Sequence, residues 1–142
     1  MLAASIAAAV PMTPSSASPP PALHELEAEV MADVWRQDRE VTVRDVMEAI
    51  NERAERERAY TTFMTIMRRL ASKGLLVRRR VGKTDYYRAH WTEGEYRAVR
   101  ARAEAAELVE RYGDAALAAF ASEVDGLDPK RRRVLRRLAR DA

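Results

Sequence analysis

Midway along this chain the apolar pattern changes period. Up to Leu70 the apolar residues recur at helical spacing: Leu26, Val30 and Val34, then Val43, Val46, Met47 and Ile50, then Phe63, Ile66, Met67 and Leu70. Spacings of three and four put each set on one face of a helix. Past Gly74 the rhythm becomes that of a strand. Leu75–Val81 and Thr84–Ala89 are rich in β-branched and aromatic residues and flank the turn pair Gly82-Lys83, which reads as a hairpin. Three short helices followed by a hairpin is the order of a winged helix-turn-helix. The class expected is mainly α, a winged helix-turn-helix domain followed by a C-terminal helical dimerisation domain.

The boundaries follow from local chemistry. Leu23–Gln37 reads as the first helix, with Glu25, Glu27 and Glu29 near the positive end of its dipole. Thr42-Val43-Arg44-Asp45 resembles a capping box and opens the second. The charged run Glu52–Arg58 is a helix end and connector, and the third helix spans Tyr60 to Ser72, stopped by Gly74. Thr92-Glu93-Gly94-Glu95 is a second capping box, launching a long helix to about Tyr112. Gly113 ends it and Asp114 is placed to cap the next. Asp128-Pro129 starts the last helix with an N-cap and a proline at the first helical position. Pro11–Ala22 is a run of Pro, Ser, Thr and Ala without apolar period, so residues 1–22 read as a disordered leader. Met1–Val10 is apolar but short, with no Lys or Arg before it, unlike a signal peptide. The domain division expected is 23–91 for the winged helix and 92–142 for dimerisation.

Charge is distributed unevenly. Residues 23–55 carry four basic and ten acidic side chains, residues 56–88 ten basic and two acidic, and residues 89–142 eleven basic and ten acidic. A block of 33 residues with a balance of +8 that coincides with the third helix and the hairpin is a footprint for a polyanion. A helix fits the major groove of duplex DNA. The outward face of the third helix offers Thr61, Thr62 and Thr65, whose hydroxyls donate or accept and whose methyls can meet thymine. Tyr60, Arg68 and Arg69 suit phosphates, and the wing adds Arg78, Arg79, Arg80, Lys83 and Arg88. Strand alternation points Arg78 and Arg80 one way and Arg79 the other.

The inventory also excludes. With no cysteine, disulfides and thiol chemistry are absent, and the two histidines, His24 and His90, are far apart in sequence. No metal site and no cofactor are expected. There is no paired histidine and no phosphate-cradling glycine loop, which argues against an enzyme. No apolar run approaches the roughly 20 residues that span a bilayer, so no membrane insertion and a cytoplasmic location are expected. Leu108, Tyr112, Leu117, Phe120, Val124, Leu135 and Leu138 need burial, and the last fifty residues are too few to supply it. A homodimer is therefore expected. A competing reading is a winged-helix protein-interaction adaptor without sequence-specific DNA readout.

The chain also resembles the BlaI/MecI family of penicillinase-type repressors. The resemblance rests on Leu26-Glu27-Ala28-Glu29-Val30-Met31 with Val34-Trp35; on Ala59-Tyr60-Thr61-Thr62-Phe63-Met64-Thr65 with Arg69-Leu70 and Lys73-Gly74-Leu75; and on Gly82-Lys83 with Tyr87. It covers residues 23–125 and is most specific over 26–88. It implies a dimeric repressor on a palindromic operator of double-stranded DNA, with base-contacting positions falling on Thr61, Thr62 and Thr65. It further implies a membrane-bound sensor protease as a partner, whose signal leads to cleavage in the C-terminal domain. The chain departs from the pattern in three places. Ala115–Val124, the corresponding region, has no Asn-Phe bond, the cysteine cluster of the copper-responsive branch is absent, and the last helix carries seven basic residues where relatives tend to be acidic.

Overall fold

The computed structural model describes residues 19–141. It comprises α1 (Glu25–Gln37), α2 (Val43–Glu52), α3 (Tyr60–Ser72), β1 (Leu76–Val81), β2 (Thr84–Ala89), α4 (Glu93–Tyr112), α5 (Asp114–Asp125) and α6 (Pro129–Asp141). The chain divides between Ala101 and Arg102, within α4, into two compact units.

The first unit is a winged helix. The apolar faces of α1, α2 and α3 meet in one core. Val30, Met31, Val34, Val46, Ile50, Phe63, Met67 and Leu70 are all buried there, joined by Leu75 just before β1 and by Leu76 and Tyr87 from the hairpin. The hairpin is antiparallel, with Val81 opposite Thr84 across the two-residue loop Gly82-Lys83. Gly82 has φ +62°, a conformation that hairpin loops favour and that glycine adopts without steric penalty. A third strand segment was not legible in the sequence. Val41 pairs with Tyr87 through two reciprocal 2.8 Å backbone bonds, tying the α1–α2 connection to the wing.

The capping boxes form. Thr42 Oγ1 accepts from the Asp45 amide at 3.1 Å while the Thr42 amide donates to Asp45 Oδ2 at 2.9 Å. Thr92 and Glu95 repeat the exchange at 3.0 and 2.9 Å. These bonds satisfy amides that the first helical turn leaves unpaired. Asp45 is held below its usual carboxyl range, first by the Thr42 amide, against the opposing effect of burial. α3 ends in a Schellman motif: the Leu75 amide donates to Leu70 O, the Gly74 amide to Ala71 O, and Gly74 has φ +82°.

Three boundaries differ from expectation. α1 begins at Glu25, because the Glu27 carboxylate folds back to accept from the His24 amide at 3.1 Å. Gly113, with φ +60°, is the residue before α5, and Asp114 is its first helical residue. The expected leader lies mostly outside the described residues, but its end does not. Pro20 is buried, its carbonyl accepting from Arg100 Nη1 at 3.2 Å, and the Pro21 carbonyl accepts from Tyr96 Oη at 3.0 Å. Proline loses little conformational freedom on ordering, so few contacts suffice to hold this stretch.

Two buried carboxylates brace the helices. Glu27, 1% exposed, accepts from Lys73 Nζ at 2.8 Å and so links the start of α1 to the end of α3. Asp33, also 1% exposed, accepts from Arg36 and Gln37 at 2.8 and 2.7 Å and lies 3.6 Å from Arg53 beyond α2. Asn51 then shapes the connector into α3, accepting from the Arg58 amide and donating to its carbonyl.

The second unit contains the end of α4, α5 and α6. Within it only Ala116 is buried among the described residues.

Candidate nucleic-acid interface

α3 presents two faces. Phe63, Ile66, Met67 and Leu70 are buried in the core. Thr61, Thr65, Arg68 and Arg69 are exposed, and Thr62 is half-buried. The helical period that anchors the apolar side thus sets the hydroxyls on the outer part of the cylinder. Tyr60, 43% exposed, stands at the first turn.

Beside α3 lies a groove of about 390 Å³ lined by Thr42, Val43, Arg44, Tyr60, Met64, Arg68, Arg80, Lys83, Thr84 and Asp85. Its walls are the start of α2, the Tyr60, Met64 and Arg68 stripe of α3 and the tip of the wing. Four cations and one carboxylate border it, and the N-terminal end of α2 adds the positive end of a helix dipole. Arg44 was missed in the sequence. Its signal was position alone, two residues after the cap residue Thr42, which lines the same groove.

The residues expected to bind phosphates do not all gather here. Tyr60, Arg68, Arg80 and Lys83 do. Arg69 instead lies 4.0 Å from Glu27, on the side where Lys73 already engages that carboxylate. Arg79 forms a bidentate pair with Glu40, at 2.6 and 2.9 Å, and packs over the Tyr86 ring 5.2 Å from its centroid. Arg80 and Arg78 both turn toward Asp85, at 3.2 and 3.9 Å. The β1 register opposes Arg80 to Asp85 directly, and the split between Arg79 and its two neighbours follows the pleat. Arg88 is half-buried and lines a separate depression with Trp35, His90 and Trp91.

Electrostatics reinforce these pairings. Arg79 holds the Glu40 carboxyl below its ordinary range, first through their hydrogen bonds, and Glu40 raises the Arg79 pKa in return. Burial and the nearby Arg88 charge push His90 down, against a smaller opposing pull from Glu95. Among the described residues no cluster of His, Cys, Asp and Glu is placed to hold a metal ion. No helix among them is long and apolar enough to cross a membrane.

The seven apolar residues expected at a dimer interface are 37–57% exposed: Leu108, Tyr112, Leu117, Phe120, Val124, Leu135 and Leu138. Apart from Tyr60 and Val81, they are the large exposed apolar side chains of the described residues.

Comparison with known proteins adds three findings. The family model for the penicillinase repressor matches residues 23–141. The transcriptional regulator BlaI of Mycobacterium tuberculosis, from strains CDC 1551 / Oshkosh and ATCC 25618 / H37Rv, is 42% identical over 65 residues. That match spans 46% of this chain and 46% of each relative, about half the length of the curated relatives it matches. A solution structure of the Bacillus licheniformis BlaI monomeric form, in complex with the blaP half-operator, is similar at 23% identity and a TM-score of 0.44, covering 54% of this chain and 90% of that one. With the family model spanning the winged helix and the three helices after it, the chain belongs to the penicillinase repressor family.

Proposed function

We propose that this protein is a transcriptional repressor that binds duplex DNA sequence-specifically as a homodimer on a palindromic operator, acting in the cytoplasm. α3 enters the major groove, Thr61, Thr62 and Thr65 meet base edges, and Tyr60, Arg44, Arg68, Arg80 and Lys83 meet phosphates. Family membership supports the regulatory role, and the relatives' designation as transcriptional regulators agrees with it. The observation that carries the readout is the juxtaposition of an exposed hydroxyl face on α3 with a cation-bordered groove along its flank. Phosphate contacts fix register while base-edge contacts specify sequence, and the two kinds of side chain occupy adjacent surfaces here.

The two-fold arrangement rests on the exposed apolar set of α4, α5 and α6. A symmetric pair of chains buries one patch against its own copy. It also offers two reading helices to major-groove faces about 34–36 Å apart, or a multiple of that. Winged-helix residues 23–91 form the reading domain and 92–142 the pairing domain in this scheme. A membrane-bound sensor protease as the partner that relieves repression rests on the family resemblance alone, and Ala115–Val124 offers no Asn-Phe bond for it to act on.

The test is a binding titration of Thr62→Ala against operator and random duplexes, the operator being identified from a genome-wide footprint of the bound protein. The ratio of the two affinities is expected to fall about tenfold, the effect of removing one base-edge interaction. An unchanged ratio removes Thr62 from the reading set.

A further inference from the structure

α6 (Pro129–Asp141) carries Lys130, Arg131, Arg132, Arg133, Arg136, Arg137 and Arg140, with Asp141 its one acid. Arg132 is committed to its own chain, donating to the carbonyls of Asp125 at 2.6 Å and Leu127 at 3.0 Å, where α5 ends. Four others differ. Arg133, Arg136, Arg137 and Arg140 are exposed, and none of them takes part in the ion pairs found among the described residues.

Their placement is not random around the helix. At about 100° per residue, these four residues lie within one arc, while Val134, Leu135 and Leu138 lie on the opposite side. Any association that buries the aliphatic side therefore leaves the centre of the cationic arc facing away from the contact. Acidic side chains of a second copy can reach the rim of the arc but not its middle. The aliphatic side has three residues and no aromatic ring, which is little apolar area for insertion into a lipid interface. A linear polyanion fits better. α6 is about 20 Å long and offers successive cations along one edge, while duplex DNA carries one charge about every 1.7 Å of axis.

We infer that the Arg133, Arg136, Arg137 and Arg140 face of α6 is a second, sequence-independent surface for the phosphate backbone of duplex DNA, separate from the α3 groove. It extends the proposed function without depending on which residues of α3 read bases. Such a surface adds affinity to operator and non-operator DNA alike, and so raises occupancy without sharpening discrimination.

The experiment uses the full chain with Arg133→Gln, Arg136→Gln and Arg140→Gln combined, beside the charge-preserving set Arg133→Lys, Arg136→Lys and Arg140→Lys. Anisotropy titrations of a random-sequence duplex are run between about 50 and 200 mM salt, the range over which phosphate neutralisation is most visible. The Gln variant is expected to flatten the log–log salt slope by about two to three, roughly 0.9 for each phosphate no longer neutralised, and to weaken binding about tenfold or more. The Lys variant is expected to keep the slope. Thr62→Ala, by contrast, leaves this slope unchanged, so failure of base reading and failure of this surface are distinguishable. An unchanged slope in the Gln variant overturns the inference. So does a loss of self-association in sedimentation velocity without a change in slope, which assigns the cations to a second copy. Reduced binding to phosphatidylserine-containing vesicles with no change on DNA overturns it in favour of a lipid surface. If circular dichroism shows the triple Gln variant unfolded, the double Arg133→Gln and Arg140→Gln carries the same test, with an expected flattening of about two.

Discussion

Arg79 on β1 grips Glu40, which precedes the third strand segment, with two hydrogen bonds of 2.6 and 2.9 Å. A wing cation that looks in sequence like a free phosphate ligand is already engaged by an internal carboxylate. Binding of Arg79 to a phosphate must compete with Glu40, so the pair subtracts from the electrostatic attraction that the sequence count suggests. Glu40→Gln is expected to strengthen binding to random duplex DNA and to steepen the log–log salt slope by about 0.9, the effect of one more neutralised phosphate. Weaker binding by this variant in the same titration means that Glu40 positions Arg79 for DNA rather than withholding it.

Glu27 and Lys73 make the corresponding point about stability. The carboxylate is buried at one end of α1 and depends on the ammonium from the end of α3. Lys73→Met is expected to cost about 2 kcal/mol in urea unfolding, the range for removing a hydrogen bond to a charged group. Burial alone raises the Glu27 pKa, but the hydrogen bonds from Lys73 and the His24 amide outweigh it, so the net shift is downward. A depressed carboxyl contributes stability above its ordinary value near 4.5 and loses it as pH falls through the lower folded value. The deficit of Glu27→Gln relative to the natural chain should therefore shrink as acid unfolding is approached.

His90 acts in a different window. Its folded pKa lies below the ordinary 6.5, from burial first and the Arg88 charge second. The folded chain then binds fewer protons than the unfolded one, and stability falls as pH drops below 6.5. His90→Gln is expected to flatten the dependence of the urea midpoint on pH just below that value. A natural-like decline in the variant assigns the effect to another group.

Leu117 and Phe120 on α5 are 53% and 37% exposed. Leu117→Glu combined with Phe120→Glu is expected to shift sedimentation equilibrium from dimer to monomer and to weaken operator binding through loss of the second reading helix. The core of the winged helix shares no residue with this patch, so its thermal transition should persist. A variant that remains dimeric removes α5 from the pairing surface.

Much of the architecture was legible in the sequence because its signals are local. The period of the apolar residues placed α1, α2 and α3, since a core-facing stripe must follow the helical repeat. Thr42-Asp45 and Thr92-Glu95 announced helix starts through bonds three residues apart, and Gly74 and Gly82 announced backbone reversals that other residues resist. The outward position of Thr61 and Thr65 followed from the same period that buried Phe63 and Ile66.

What the chain's order of residues could not reveal is which charges meet. Glu27 reads as a dipole partner at a helix start, yet 46 residues later Lys73 makes it a buried brace. Arg79, Arg80 and Arg88 sit within ten residues of one another but face Glu40, Asp85 and a pocket beside Trp35 respectively. A salt bridge between distant elements depends on how faces pack, and packing is decided by shape and area across the whole core rather than by neighbours along the chain. Sequence alone therefore determined the elements and the side of each that is apolar. The tertiary structure decided which cations border one groove and which are spent holding the fold together.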